Sequence, residues 1–128
     1  MQITLKTTQN IYTVFSKFTE QTLPLKLSYK IMKLLRALDE ELNFYREQLQ
    51  SLIKDCAELD ENGQFKYIDN GESILIKEDK ITEFHERNDE LSNMEIELSD
   101  DFVFTLDELE NLELTPKDLA QIDVLIQE

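Results

Sequence analysis

Apolar residues along this chain recur at two different periods, and the places where the period changes divide it into elements. Ile3 and Leu5 alternate with Gln2 and Thr4, which predicts a half-buried strand over Gln2 to Lys6. Ile11, Val14, Phe15 and Phe18 then fall at helical spacing and predict a short helix from about Thr8 to Glu20. Pro24 follows as a first-turn residue, since its missing N–H would have no helical partner there.

The clearest pattern comes next. Ile31, Leu35, Leu38, Leu42, Tyr45, Leu49, Leu52, Cys56 and Leu59 alternate in steps of four and three, with no Gly or Pro from Leu25 to Asn62. This is a heptad seam, and it predicts one helix from about Pro24 to Asp60, roughly 55 Å long, ended by Asn62-Gly63. Such a seam is either the spine of an intramolecular bundle or the face of a coiled-coil homodimer. Leu35, Leu38, Leu42 and Leu49 are the expected core positions.

Asn70-Gly71 is a preferred two-residue hairpin loop, because both positions need positive φ. With Asp69 paired to Glu72, Tyr67 stands opposite Ile74 and Phe65 opposite Ile76, so all four share one face. Ile81, Phe84, Asn88 and Leu91 predict a helix from about Asp79 to Ser92, running back antiparallel along the distal half of the long helix. Met94, Ile96 and Leu98 alternate with Glu95 and Glu97, a second half-buried strand expected near the first. Thr105 with Glu108 forms a capping box for a helix at Leu106 to Asn111. Thr115, Pro116 and Asp118 open a last helix carrying Leu119, Ile122 and Ile126. The expected fold is α+β and mostly helical: one long amphipathic helix in a helical hairpin or small bundle, with a β-hairpin and a short terminal strand pair, as one domain of 128 residues.

Composition narrows the setting. No apolar run is long enough to span a bilayer, and the N-terminus has no signal-peptide core. The lone Cys56 has no internal disulfide partner. A cytoplasmic protein is the expectation. The net charge of −15 is unevenly spread. Residues 1–36 hold six bases and one acid, a net +5, and the remainder holds 7 bases and 27 acids, a net −20. The acidic part repels free nucleic acid, so direct nucleic-acid binding is not expected.

Candidate chemistry is sparse. Glu58, Asp60, Asn62, Gly63 and Asp69 fall at positions 1, 3, 5, 6 and 12 of a calcium-loop template, but the template wants Asp at 1 and Glu at 12 and not Lys66 at 9. A turn followed by a hairpin explains the same residues. His85 and Cys56 are too few for zinc, and a Cys–His pair without an oxyanion hole has no reaction to perform. No catalytic residue, metal or cofactor is expected. Two charged surfaces remain. Glu83, Glu86, Asp89, Glu90, Glu95, Glu97, Asp100 and Asp101 form a candidate acidic partner-binding surface, whose plainer reading is solubility. Lys26, Lys30 and Lys33, at i, i+4 and i+7, form a basic face that either meets a phosphate or acidic partner or neutralises the protein's own acids.

Three segments also carry a resemblance: the opening ITL, the stretch LPLKLSYKIMKLLRALDEEL from Leu23 to Leu42, and the ending LELTPKDLAQIDVLI from Leu112 to Ile126. Together they resemble a family of small acidic proteins of unknown function encoded by phages and prophages of Gram-positive bacteria. The shared motifs are packing and capping motifs, so no functional residue transfers through them. The resemblance implies a viral gene product that works by binding, in the bacterial host cytoplasm. The first function expected is a non-enzymatic module that modulates a host or phage protein through its acidic surface. The alternative is a structural or assembly accessory factor of the virion, using the long helix for oligomerisation or docking.

Overall fold

Thr4 closes the first strand and opens the first helix. The computed structural model, which describes residues 1–127 and the backbone alone at Asp69, has β1 at Gln2–Thr4 and α1 at Leu5–Ser16. The Thr4 hydroxyl oxygen accepts the Thr7 N–H at 3.1 Å and so caps the helix. α1 therefore starts three residues before Thr8, and Leu5, expected in the strand, is buried in its first turn. Thr8, also buried, spends its hydroxyl proton on the Thr4 carbonyl at 2.8 Å. The helix ends at Ser16 rather than Glu20, and Phe18 stays buried in the turn that follows.

α2 spans Leu25–Cys56, an unbroken run of 32 residues. Pro24 stands just outside it and lends its carbonyl to the Ser28 N–H at 2.9 Å. The helix stops four residues short of Asp60. Ala57 and Leu59 have good helical propensity, but they are drawn into antiparallel bridges with Ile76 and Phe65, and pairing overrides propensity. Asn62-Gly63 consequently serves a turn rather than a helix end. The Asp60 carboxylate accepts the N–H groups of Asn62 and Gln64 at 2.8 and 3.0 Å, and Gly63 has φ +77°.

β2 (Tyr67–Ile68) and β3 (Ser73–Ile74) form the hairpin in the expected register, with Tyr67 opposite Ile74. Asn70 and Gly71 take the positive φ that the loop requires, 58° and 89°. Beyond Tyr67 the expected Phe65–Ile76 pair gives way to the segment after α2, which takes Phe65 through Leu59 and Ile76 through Ala57. A 3₁₀ turn at Glu78–Lys80 leads into α3 (Ile81–Ser92), and Arg87 reaches back to Asp55 of α2 at 3.4 Å.

β4 (Glu95–Glu97) lies antiparallel to β1, with Ile3 opposite Ile96. β5 (Phe104–Thr105) leads into α4 (Leu106–Leu109), and Thr115 leads into α5 (Pro116–Ile122). Both helices carry complete capping boxes, Thr105 with Glu108 and Thr115 with Asp118. Ile126 is not in the last helix as expected. A 3₁₀ turn at Asp123–Leu125 intervenes, and Ile126–Gln127 forms β6, parallel to β5 with Ile126 opposite Phe104. The fold is thus α+β and mostly helical, built on one long helix.

The chain divides into two compact units, Met1–Asn43 with the residues from Met94 onward, and Phe44–Asn93. The first has the larger core. It draws Ile11, Val14 and Phe15 from α1, Leu27, Ile31, Leu34, Leu38 and Leu42 from α2, and Phe104, Leu109, Ile122 and Leu125 from the C-terminal elements. The second buries Leu52, Cys56, Ala57 and Leu91. Among the expected seam residues Ile31, Leu38, Leu42, Leu52 and Cys56 are buried, whereas Leu35, Tyr45 and Leu49 are only half-buried and Leu59 is exposed. Leu27 and Leu34 take part instead. A straight helix drifts about 20° per heptad against a strict seven-residue repeat, so the buried stripe of α2 follows 3.6 residues per turn rather than the heptads. Among the described residues no helix is long and apolar enough to cross a membrane.

Candidate functional site

The basic face of α2 divides by burial. Lys30, on the inner flank, points its ammonium at the Val103 carbonyl, at both Glu108 oxygens (3.2 Å each) and at the face of Phe104, 4.4 Å from the ring centroid. Phe104 in turn stacks on Phe15, with centroids 5.0 Å apart. Partial burial pushes the Glu108 carboxyl up, but hydrogen bonds from the Thr105 N–H and from Lys30 together outweigh it and hold the group below its ordinary value. Lys30 therefore neutralises the protein's own acid. Lys26 and Lys33 are exposed. Lys33 lies over the Tyr29 ring at 5.5 Å, and neither lysine has a carboxylate partner among the described residues.

A second internal pair, not singled out in the sequence, joins the residue that follows α1 to α5. Lys17 meets Asp118 at 2.9 Å, and the Asp118 side chain is 8% exposed. The hydrogen bond from Lys17, followed by that from the Thr115 N–H, holds the Asp118 carboxyl below its ordinary 3.8. A carboxyl whose folded value is depressed adds stability that is complete above its unfolded value and is lost as pH falls through the folded one. Wild type and Asp118→Asn should therefore differ in unfolding midpoint at neutral pH and converge as the pH drops progressively below 3.8. Urea unfolding at a series of pH values measures this, and a constant difference across the series would mean that the charge of Asp118 contributes nothing.

The eight candidate acids are all exposed, and they fall on both units. Glu83, Glu86, Asp89 and Glu90 lie on α3. Glu83 pairs with Lys80 at 3.1 Å and approaches Arg87 at 3.9 Å, and its hydrogen bond raises the Lys80 ammonium above its ordinary value. Glu95 and Glu97 share one face of β4, with Asp100 and Asp101 in the turn beyond. Glu97 and Asp100 receive the Met1 ammonium at 3.2 and 2.7 Å. Glu86, Asp89, Glu90, Glu95 and Asp101 make no ion pair among the described residues.

Sequence reasoning did not foresee a cleft between α1 and α2 in the first unit. It holds about 300 Å³. Phe18, Leu23, Ile31, Met32 and Leu35 supply the apolar part of its lining, and Arg36 and Asp39 bring one charge of each sign among its polar residues. The signal was present in Leu35 and Met32, two apolar residues that lie about 60° and about 120° from the middle of the buried stripe at 100° per residue.

Cys56 is fully buried and His85 exposed, and among the described residues no group of three or more His, Cys, Asp and Glu side chains is placed to hold a metal. In comparisons with known proteins no family model matches the chain, and neither a curated protein nor a solved structure matches it.

Proposed function

We propose that this chain is a non-enzymatic, phage- or prophage-encoded protein-binding module that modulates a host or phage protein through its acidic surface. One observation carries the reading: acids are held unpaired on ordered elements while cations nearer the core neutralise others. Glu86 and Glu90 stand at i, i+4 on α3, where like charges weaken a helix by a few tenths of a kcal/mol. Glu95 likewise stands beside Glu97 on one face of β4, where the Met1 ammonium meets Glu97 and leaves Glu95 unpaired among the described residues. Stability alone would not choose these placements, and a basic partner surface would reward them. The resemblance of three segments, ITL, Leu23 to Leu42 and Leu112 to Ile126, to small acidic phage proteins supports a setting in the cytoplasm of an infected bacterium.

The test is the association rate with a partner captured from infected host lysate. Reversing Glu86, Glu90, Glu95 and Asp101 to Lys leaves the Met1 contacts of Glu97 and Asp100 intact. It should slow association by several-fold to about tenfold, and so should raising salt from about 0.1 M to about 1 M. Association that tolerates both changes would reject the acidic-surface reading. The alternative, a virion assembly factor that docks or oligomerises through α2, draws support from Phe44, 44% exposed with Tyr45 and Leu49 only half-buried beyond it. It predicts the opposite pattern, with Phe44→Ser abolishing association and the acid reversals leaving it unchanged.

A further inference from the structure

We infer that the cleft between α1 and α2, together with the exposed basic face beside it, is a docking site for an acidic amphipathic segment of another protein. The site is separate from the acidic surface and takes a partner of opposite charge.

Three placements converge on it. Leu25, Tyr29, Met32 and Arg36 recur at i, i+4, i+7 and i+11, one stripe along a straight helix. The three apolar members are 85%, 59% and 36% exposed, so the stripe faces solvent rather than core. At 100° per residue, Ile31 and Leu35 of the cleft lie on one flank of this stripe, and Lys26 and Lys33 lie on the other. A helical segment laid along the stripe puts apolar side chains into the cleft, and acids on its other side reach Lys26, Lys33 and Arg36.

Charge identifies the occupant. The chain has 28 acids to pair with its 13 Lys and Arg residues, and residues 1–36 hold six of those bases against one acid. Lys17 and Lys30 do find internal carboxylates, Asp118 and Glu108. Lys26, Lys33 and Arg36 have no such carboxylate among the described residues, although they lie on the same helix as Lys30 or one turn from it. A partly apolar cleft beside three cations without a carboxylate partner among the described residues complements a segment with alternating apolar and acidic faces, kept clear of the Asp39 side of the cleft. Nucleic acid would meet the same cations, but it carries no aliphatic side chains for the cleft and is repelled by the −20 of the remaining chain.

The experiment selects displayed random peptides of about 15 residues, long enough as a helix to run the roughly 17 Å from Leu25 to Arg36. Selection on the full-length wild-type chain is followed by counterselection on Lys33→Glu/Arg36→Glu. Both positions are exposed, and an unchanged far-UV circular dichroism spectrum verifies the fold. The surviving peptides should be net acidic, with apolar residues at i, i+3 or i+4. In fluorescence anisotropy titrations their affinity should fall at least roughly tenfold on the double variant, and again as salt rises. Replacing the acids of such a peptide with Lys should restore binding to the double variant, and reversing Glu86, Glu90, Glu95 and Asp101 should leave peptide binding to the remaining chain intact. Survivors that are neutral or basic, or no survivors at all, overturn the proposal. So does displacement of the peptides by anionic phosphatidylserine vesicles, which would make the face a membrane site. Concentration-dependent self-association lost in the double variant would assign it to a second copy of this chain.

Discussion

Replacing Phe104 with alanine is expected to cost about 3–5 kcal/mol, among the largest losses from any single truncation in this protein. The ring is fully buried, stacks on Phe15 at 5.0 Å and lies beneath the Lys30 ammonium at 4.4 Å, while its backbone pairs with Ile126. Truncation removes the ring's transfer free energy and opens a cavity that α1 and α2 cannot close without moving. It also leaves Lys30 over empty space, with Glu108 as its remaining charged partner. The melting temperature, followed by circular dichroism, should fall by on the order of 10–20 °C. Leu106→Ala, two residues away and 56% exposed, should change stability by no more than about 0.5 kcal/mol. Equal effects from the two substitutions would mean that Phe104 is not at the centre of the core.

Leu38→Ala follows closely, at about 2–5 kcal/mol, and Leu34→Ala should match it, since both side chains are fully buried. Leu35→Ala should cost distinctly less, because Leu35 is half-buried and lines the α1–α2 cleft. Urea unfolding of the three variants therefore ranks two ways of reading one helix. A coiled-coil seam requires Leu35 and Leu38 to be equivalent and Leu34 to be dispensable. A straight helix packed within its own unit requires Leu34 and Leu38 to be equivalent and Leu35 to be the weaker. Equal losses at Leu35 and Leu38, with none at Leu34, would return α2 to the heptad.

Much of the architecture is local and can be read from the chain directly. The two capping boxes need only a Thr and an acid three residues apart, and both form as written. The hairpin register follows from Asn70-Gly71, because few residue pairs accept positive φ at both positions. The alternation at Ile3 and at Ile96 marks two strands, and these pair with each other. The absence of helix breakers from Leu25 onward is enough for a long helix.

Decisions that depend on distant residues are illegible in the same way. The end of α2 at Cys56 is set by Ile76 and Phe65, which capture Ala57 and Leu59 into bridges that no local propensity announces. Ile126 keeps helical spacing with Ile122, yet it leaves the helix to pair with Phe104. Which face of α2 is buried depends on the segments laid against it, Val103 to Glu108 among them, so the choice among Leu34, Leu35 and Leu38 belongs to packing rather than to periodicity. The basic face shows the same division. Its three lysines are equivalent by spacing, and only the approach of Val103, Phe104 and Glu108 makes Lys30 an internal partner while Lys26 and Lys33 stay exposed. Spacing along one helix is a property of the sequence, whereas the identity of the neighbour across from it arises only when segments some 70 residues apart are brought together.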